Sequence, residues 1–201
     1  MIDTIPHNIP KLYPEIKKKC EEIEFSMLSD IQLGSLLKTL VAAKPGAKIL
    51  ELGTGIGLAL SWIQDGMDDN SKIISIDNDP ELIATASEYF SEDSRVELIC
   101  ADGGDWLQNY SGSMFDLIFA DSWPGKYREL DVTLQLLKVG GIYVIDDMIE
   151  QDNWPEGHRE KAQNLISELE EKDNFTMVKL NWSTGIIIMT KQRPLGLQNI
   201  N

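Results

Sequence analysis

The sequence predicts an α/β protein built on a doubly wound, mostly parallel sheet of seven strands that finishes in an antiparallel hairpin. Three observations predict it. From residue 47 onward, short β-branched runs alternate with helical patterns, and the runs are nearly continuously apolar, as strands covered on both faces are. The first run enters a glycine turn, Gly53-Thr-Gly-Ile-Gly57, and leaves it as a helix. The last two runs, FTMVKL and GIIIMTKQ, are separated only by NWST, and four residues cannot make a parallel crossover.

Taken in order, residues 1–24 read as a Pro-rich arm and a helix, 25–193 as the core and 194–201 as a tail, all within one domain. The KKK at 17–19 runs into CEEIEF and reads as a solvated helix face. FSMLSDIQLGSLLKTLVAA, residues 25–43, has the spacing of an amphipathic helix leading into the first strand at 47–53. Further strands are expected at 72–78, 96–100, 115–121 and 140–147, with helical segments at 57–67, 80–90, 103–110 and 126–138 between them. Pro80 and Pro155 suit a first helical position, so the last helix is expected over 155–172, ahead of the hairpin strands at 175–180 and 185–192. No internal repeat, low-complexity tract or linker interrupts the pattern.

Composition narrows the function. At 201 residues the chain suits one domain, and 42% hydrophobic with 25% charged residues is a globular balance. A net charge of −15 argues against a nucleic-acid partner, which would need a basic face. Cys20 and Cys100 match no ligand spacing; Cys100 ends the apolar run VELIC and reads as a buried small hydrophobe. With no disulfide framework, no apolar leader and no membrane-length run, a soluble cytoplasmic protein is expected.

The glycine turn is the strongest single signal. A dinucleotide fingerprint needs a third glycine or alanine where this chain has Leu58. Glu51, two residues before Gly53, would repel a pyrophosphate and welcome a cation. The second strand ends on Asp77 and Asn78, the third on Asp102 and Gly103. Each aspartate also suits a plain helix cap, Asp77 for the helix at Pro80 and Asp102 for the one after Gly104. In this order the residues resemble the class I methyltransferases that use S-adenosylmethionine (SAM), whose first motif is an acid followed by Gly-x-Gly-x-Gly. The resemblance runs to about residue 190 and includes the hairpin. It implies a donor turn made by Glu51, Gly53, Gly55 and Gly57, with Asp77 accepting both ribose hydroxyls beside Asn78. It places the adenine edge at Asp102 and Gly103.

Three more carboxylates end the fourth and fifth strands: Asp121, Asp146 and Asp147. Strand ends at the carboxyl edge of a parallel sheet face the ligand crevice, so the three should converge beside the donor. Mg²⁺, Mn²⁺ or Ca²⁺ would reconcile their repulsion. The alternatives are a solvated strand end for Asp146 and Asp147, and a donor-side hydrogen-bond acceptor for Asp121. This region resembles the catechol and caffeoyl-CoA O-methyltransferases, in which an aspartate and an aspartate–asparagine pair hold a metal against the substrate's neighbouring hydroxyls. Asp121 and Asp146 match two of those ligands, and Asp147 stands where the asparagine would. Trp123 and Tyr127 match the catechol enzymes' Asp-x-Trp-x-x-x-Tyr, which implies that Trp123 packs on adenine. FSMLSDIQ resembles the segment that closes over SAM and implies contacts from Met27 and Ser29. The family's catalytic lysine position is Pro124 here; Lys126 lies two residues further on.

His158, in the loop region after the fifth strand, is a candidate base for removing a hydroxyl proton, with Trp154 as an aromatic wall; the bland reading places His158 on a helix surface. His7 has no comparable setting. The expected activity is methyl transfer from SAM to a hydroxyl oxygen of a small acceptor, aromatic by preference, with His158 or Lys126 as the base where no metal serves. Two alternatives stay open: a SAM-binding sensor or scaffold without turnover, kept alive by Pro124, and a nicotinamide-dependent reductase, weakened by Leu58. The arm at 1–14 is a candidate surface for a homodimer.

Overall fold

A computed structural model describes residues 8–151 and 154–193. Residues 1–7 of the arm with His7, residues 152 and 153, and the expected tail at 194–201 lie outside the described residues. The seven strands are β1 (Lys48–Leu52), β2 (Lys72–Asp77), β3 (Val96–Cys100), β4 (Phe115–Ala120), β5 (Leu137–Ile145), β6 (Phe175–Leu180) and β7 (Ile186–Lys191). They form one sheet in the order β3-β2-β1-β4-β5-β7-β6. β1 through β5 pair in parallel, and β7 runs antiparallel between β5 and β6. The chain winds outward from β1 to β3 and then crosses back to β4, so the switch point lies between β1 and β4, where a doubly wound sheet opens a crevice.

Alternation along each strand sends neighbouring side chains to opposite faces. Ile49, Leu117, Phe119 and Val144 face one core, covered by α1 (Tyr13–Glu22), α2 (Ile31–Ala42), α3 (Leu58–Gly66) and α4 (Pro80–Phe90). Leu50, Ile118, Tyr143 and Ile145 face the other, covered by α5 (Gly103–Asn109), α6 (Leu130–Gln135) and α7 (His158–Glu170).

Four expectations change, each for a local reason. The helix expected over 25–43 starts at Ile31, because extended Asp30 caps it by accepting the Leu33 N–H at 2.8 Å, leaving residues 25–30 to cross the sheet edge. The helix expected over 126–138 shrinks to α6; Glu129 enters it in the left-handed region and residues 121–128 become a structured loop. β5 therefore begins at Leu137, with a register shift against β4 between Phe115 and Leu117. Pro155 does not open α7, which starts at His158 behind left-handed Gly157, with the Pro155 carbonyl accepting the His158 N–H. Cys100 is exposed rather than buried, because β3 is an edge strand covered unevenly, whereas Cys20 on α1 is buried. Pro80 does open its helix, behind the Asp79 cap.

Gly57 also serves the packing. Its φ is +94°, and a Cβ there would sit 2.3 Å from the Phe90 ring, so this glycine serves the packing of α3 against α4. Gly57→Ala should destabilise the protein by about 2–4 kcal/mol through backbone strain and overpacking. Thermal denaturation checks this; an unchanged Tm would contradict it.

Candidate active site

The carboxyl ends of β1, β2, β3 and β4 open onto a cleft of about 430 Å³. Its floor is the glycine turn, fixed by Gly53 and Thr54 N–H groups donating to the Ile76 carbonyl at 2.8 and 3.2 Å. Gly53 (φ +104°) lies so close to β4 that a Cβ would meet the Asp121 carbonyl oxygen at 2.9 Å. Of the expected donor-side residues, Met27, Ser29, Gly53, Gly55, Asp77, Asn78, Asp102, Gly103, Asp121 and Trp123 all line this cleft; Glu51 and Gly57 do not.

Asp77 is not the cap of α4. Its Oδ2 accepts the Gly55 N–H at 2.8 Å and its Oδ1 the Asp79 N–H at 3.0 Å, while Asp79 takes the capping bonds. One carboxylate thus fastens the end of β2 to the glycine turn. Asp102 does cap its helix, accepting from Gly104 and Asp105 at 2.8 and 3.0 Å, and it also lines the cleft.

Glu51 is fully buried. Ser75 Oγ donates to Glu51 Oε2 at 2.5 Å and lies 2.6 Å from Thr54 Oγ1, while Oε1 has no hydrogen-bond partner among the described residues. Burial, opposed by the Ser75 bond, pushes its carboxyl from 4.5 up to about 8. The folded state therefore keeps a proton that the unfolded chain loses between pH 4.5 and 8, so this residue makes stability fall as pH rises through that window. Glu51→Gln should flatten the decline in Tm across the same window. Parallel Tm–pH curves for wild type and variant would contradict this account.

At the β4–β5 end of the cleft, Asp121, Asp146 and Asp147 each bring one carboxylate oxygen within 4.8 Å of the others. Asp121 follows β4, its N–H donating to the Leu52 carbonyl at 2.9 Å, and its Oδ2 accepts from Ser29 Oγ at 3.3 Å. Asp146 is 4% exposed and its Oδ1 has no partner among the described residues. Asp147 sits at φ +51°. The β6–β7 turn holds it there: Thr184 Oγ1 accepts the Asp147 N–H at 3.3 Å, and the Gly185 and Thr184 carbonyls accept from Met148 and Ile149. Burial pushes the Asp121 carboxyl up to about 6 against the pull of Lys126, and burial, then Asp121, raises Asp146 well above the usual carboxylate range.

Lys126 reaches the main chain of Asp146 despite its displaced position. Gly125 (φ +81°) packs so tightly on Leu52 that a Cβ would lie 2.3 Å from it, and its carbonyl accepts from the buried Tyr143 hydroxyl at 2.6 Å. The Tyr127 and Arg128 N–H groups donate back to the Trp123 carbonyl, closing the loop. Lys126 is thereby turned inward, 5% exposed, with Nζ donating to the Asp146 main-chain oxygen at 2.7 Å. His158 Nε2 lies 3.3 Å from Tyr127 Oη, and its ring packs edge-on to Trp154 at 4.5 Å and tilted to Trp123 at 6.5 Å. Burial, then Lys126 and Lys161, lower the His158 pKa, which favours the neutral imidazole.

Phe25, Leu82 and Arg128 line the cleft too, and sequence reasoning missed them. Phe25 lies in the segment that was expected to close over the donor, but nothing marked it above Met27 or Ser29. Arg128 was hidden inside the helix expected over 126–138.

A family profile described as O-methyltransferase matches residues 10–192. The chain belongs to the O-methyltransferase family. A provisionally assigned O-methyltransferase from Mycobacterium ulcerans (strain Agy99) is 31% identical over 118 residues, 56% of this chain and 53% of the relative. The chain spans about half the length of the curated relatives it matches. Among solved structures, an O-methyltransferase from Bacillus cereus in complex with S-adenosylhomocysteine (SAH) superposes with a TM-score of 0.81 at 19% identity, covering 94% of both chains. A provisionally assigned caffeoyl-CoA O-methyltransferase from Staphylococcus aureus gives 0.76 at 20% identity over 89% of this chain and 91% of that one. These likenesses establish the O-methyltransferase fold for the chain, a seven-stranded sheet with its antiparallel end. No helix among the described residues is long and apolar enough to cross a membrane.

Proposed function

We propose that this O-methyltransferase-family chain binds SAM in the cleft and transfers its methyl group to a hydroxyl oxygen of a small, aromatic acceptor held at the three aspartates. The observation that carries this is the double membership of Asp121, which lines the donor cleft and belongs to the carboxylate cluster. An acceptor oxygen placed at the cluster would therefore face the donor. Family membership favours this reading over a reductase, and Lys126 beside Asp146 favours it over a scaffold without turnover. The two cysteines are unpaired, which agrees with a reducing, cytoplasmic setting.

The residues fit both ligands. Asp77 keeps oxygen lone pairs free for the ribose while tied to Gly55, Asn78 lies beside it, and Asp102 with Gly103 forms the wall opposite. Trp123 offers a half-exposed ring to the cleft, and Met27 and Ser29 stand at its mouth. SAM supplies a methyl group already electrophilic on its sulfonium, so the protein's task is alignment. For the cation, the fit rests on the unpartnered Asp146 Oδ1 and the close approach of three hard oxygen donors. Asp121, Asp146 and Asp147 would hold Mg²⁺, Mn²⁺ or Ca²⁺, which would lower the acceptor hydroxyl's pKa and orient it. His158, braced by Tyr127 and favoured as the neutral imidazole, is our candidate to take the hydroxyl proton; Lys126 donates to the Asp146 carbonyl instead. Trp154 walls the acceptor side.

Label transfer tests this. Protein with methyl-labelled SAM and a panel of catechols and simple phenols should yield an O-methylated product. No label in any hydroxyl acceptor, with SAM binding intact, would contradict the reading.

A further inference from the structure

Three carboxylates gathered this closely repel one another unless a proton or a positive charge lies beside them. Lys126 is the cationic group that acts on both Asp121 and Asp146. The other cations near the cleft are engaged elsewhere: Arg128 lies 3.7 Å from Asp102, and Lys161 Nζ lies 3.6 Å over the Trp123 ring. The position of the ammonium is informative. Among the described residues its one hydrogen bond goes to the Asp146 main-chain oxygen, and it forms no ion pair with a carboxylate. Lys126 thus stands beside the cluster rather than among its carboxylates. Asp146 Oδ1 is buried and has no hydrogen-bond partner among the described residues.

We infer that Lys126 is a positioning residue that holds the carboxylates together between turnovers and keeps their affinity for a divalent cation low, so that cation and acceptor bind together. This rests on the cation reading of the three aspartates given above. Electrostatics agrees with it: the Lys126 ammonium repels a divalent cation placed at the carboxylates, and without the ammonium the cluster would attract that cation more strongly. An acceptor oxyanion supplies further negative charge, and its arrival raises the cation affinity that Lys126 holds down. The loop that delivers Lys126 is built for that placement, since Gly125 on Leu52 and Tyr143 on the Gly125 carbonyl fix where the next residue points.

The test is titration of Mn²⁺ alone into EDTA-stripped protein, followed by calorimetry or electron paramagnetic resonance. Lys126→Met should bind Mn²⁺ about tenfold or more tightly than wild type, and Lys126→Arg should stay within about threefold of wild type. The SAH affinity of both variants, measured in parallel, should stay near that of wild type and shows that they are folded. Independently of any variant, the wild type's Mn²⁺ affinity should rise about tenfold or more when catechol and SAH are present. Tighter Mn²⁺ binding by Lys126→Met, with the gain on adding catechol, supports the inference. Equal or weaker binding by Lys126→Met, or wild-type affinity that is already micromolar and indifferent to catechol, overturns it while leaving the cation site intact. Absence of Mn²⁺ binding in every protein overturns both the inference and the cation reading beneath it.

Discussion

Asp77→Ala should weaken SAH binding by roughly 100-fold or more. Two losses combine. The ribose hydroxyls lose a charged acceptor, and hydrogen bonds to charged groups contribute about 1.5–3 kcal/mol each. The glycine turn also loses its fastening, because the Gly55 N–H donates to this carboxylate at 2.8 Å and would be left without it. Asp77→Asn separates the two effects: the amide oxygen still accepts the Gly55 N–H, so the turn survives while the charge is gone. It should fall between wild type and the alanine variant in calorimetry. A Kd for the alanine variant within threefold of wild type would remove Asp77 from the donor site.

Asp146→Asn should have opposite effects on binding and on stability. Asp146 is 4% exposed, its Oδ1 has no partner among the described residues, and Asp121 adds to the strain on its charge. At neutral pH folding must either bury this charge or take up a proton to remove it, and a neutral isostere avoids both costs, so the EDTA-treated variant should be about 1–3 kcal/mol more stable than wild type. The same change removes a charged ligand, so Mn²⁺ affinity should fall by roughly 100-fold. SAH affinity should change by less than about threefold, since Asp146 does not line the donor cleft. A variant that is less stable and binds Mn²⁺ as well as wild type would show that Asp146 is structural.

These two residues also show how far the sequence could be read. The parallel strands, the glycine turn and the hairpin each follow from a local rule, and the sheet order then brings Asp77 and Asp121 to one edge without further information. The convergence of Asp146 and Asp147 with Asp121 was legible for the same reason. What was not legible depends on contacts between distant segments. Lys126 reaches Asp146 because Gly125 packs on Leu52 and Tyr143 holds the Gly125 carbonyl, and neither contact leaves a periodic trace. Gly57 completes a motif, but its close packing on Phe90 from α4 leaves no mark in the sequence. Cys100 ends an apolar run, but only the sheet order reveals that the run is an edge strand. The start of α7 was misplaced because Pro155 is a good first-turn residue in isolation, whereas the left-handed Gly157 sets the start.

The central claim is that the donor cleft and the carboxylate cluster are one site. Calorimetric titration of EDTA-stripped wild-type protein with SAH, then with Mn²⁺ and catechol together, tests it most directly. The account predicts SAH binding without metal, followed by catechol binding that requires both Mn²⁺ and bound SAH. Catechol binding that is indifferent to either one would contradict it and separate the aspartates from the donor site.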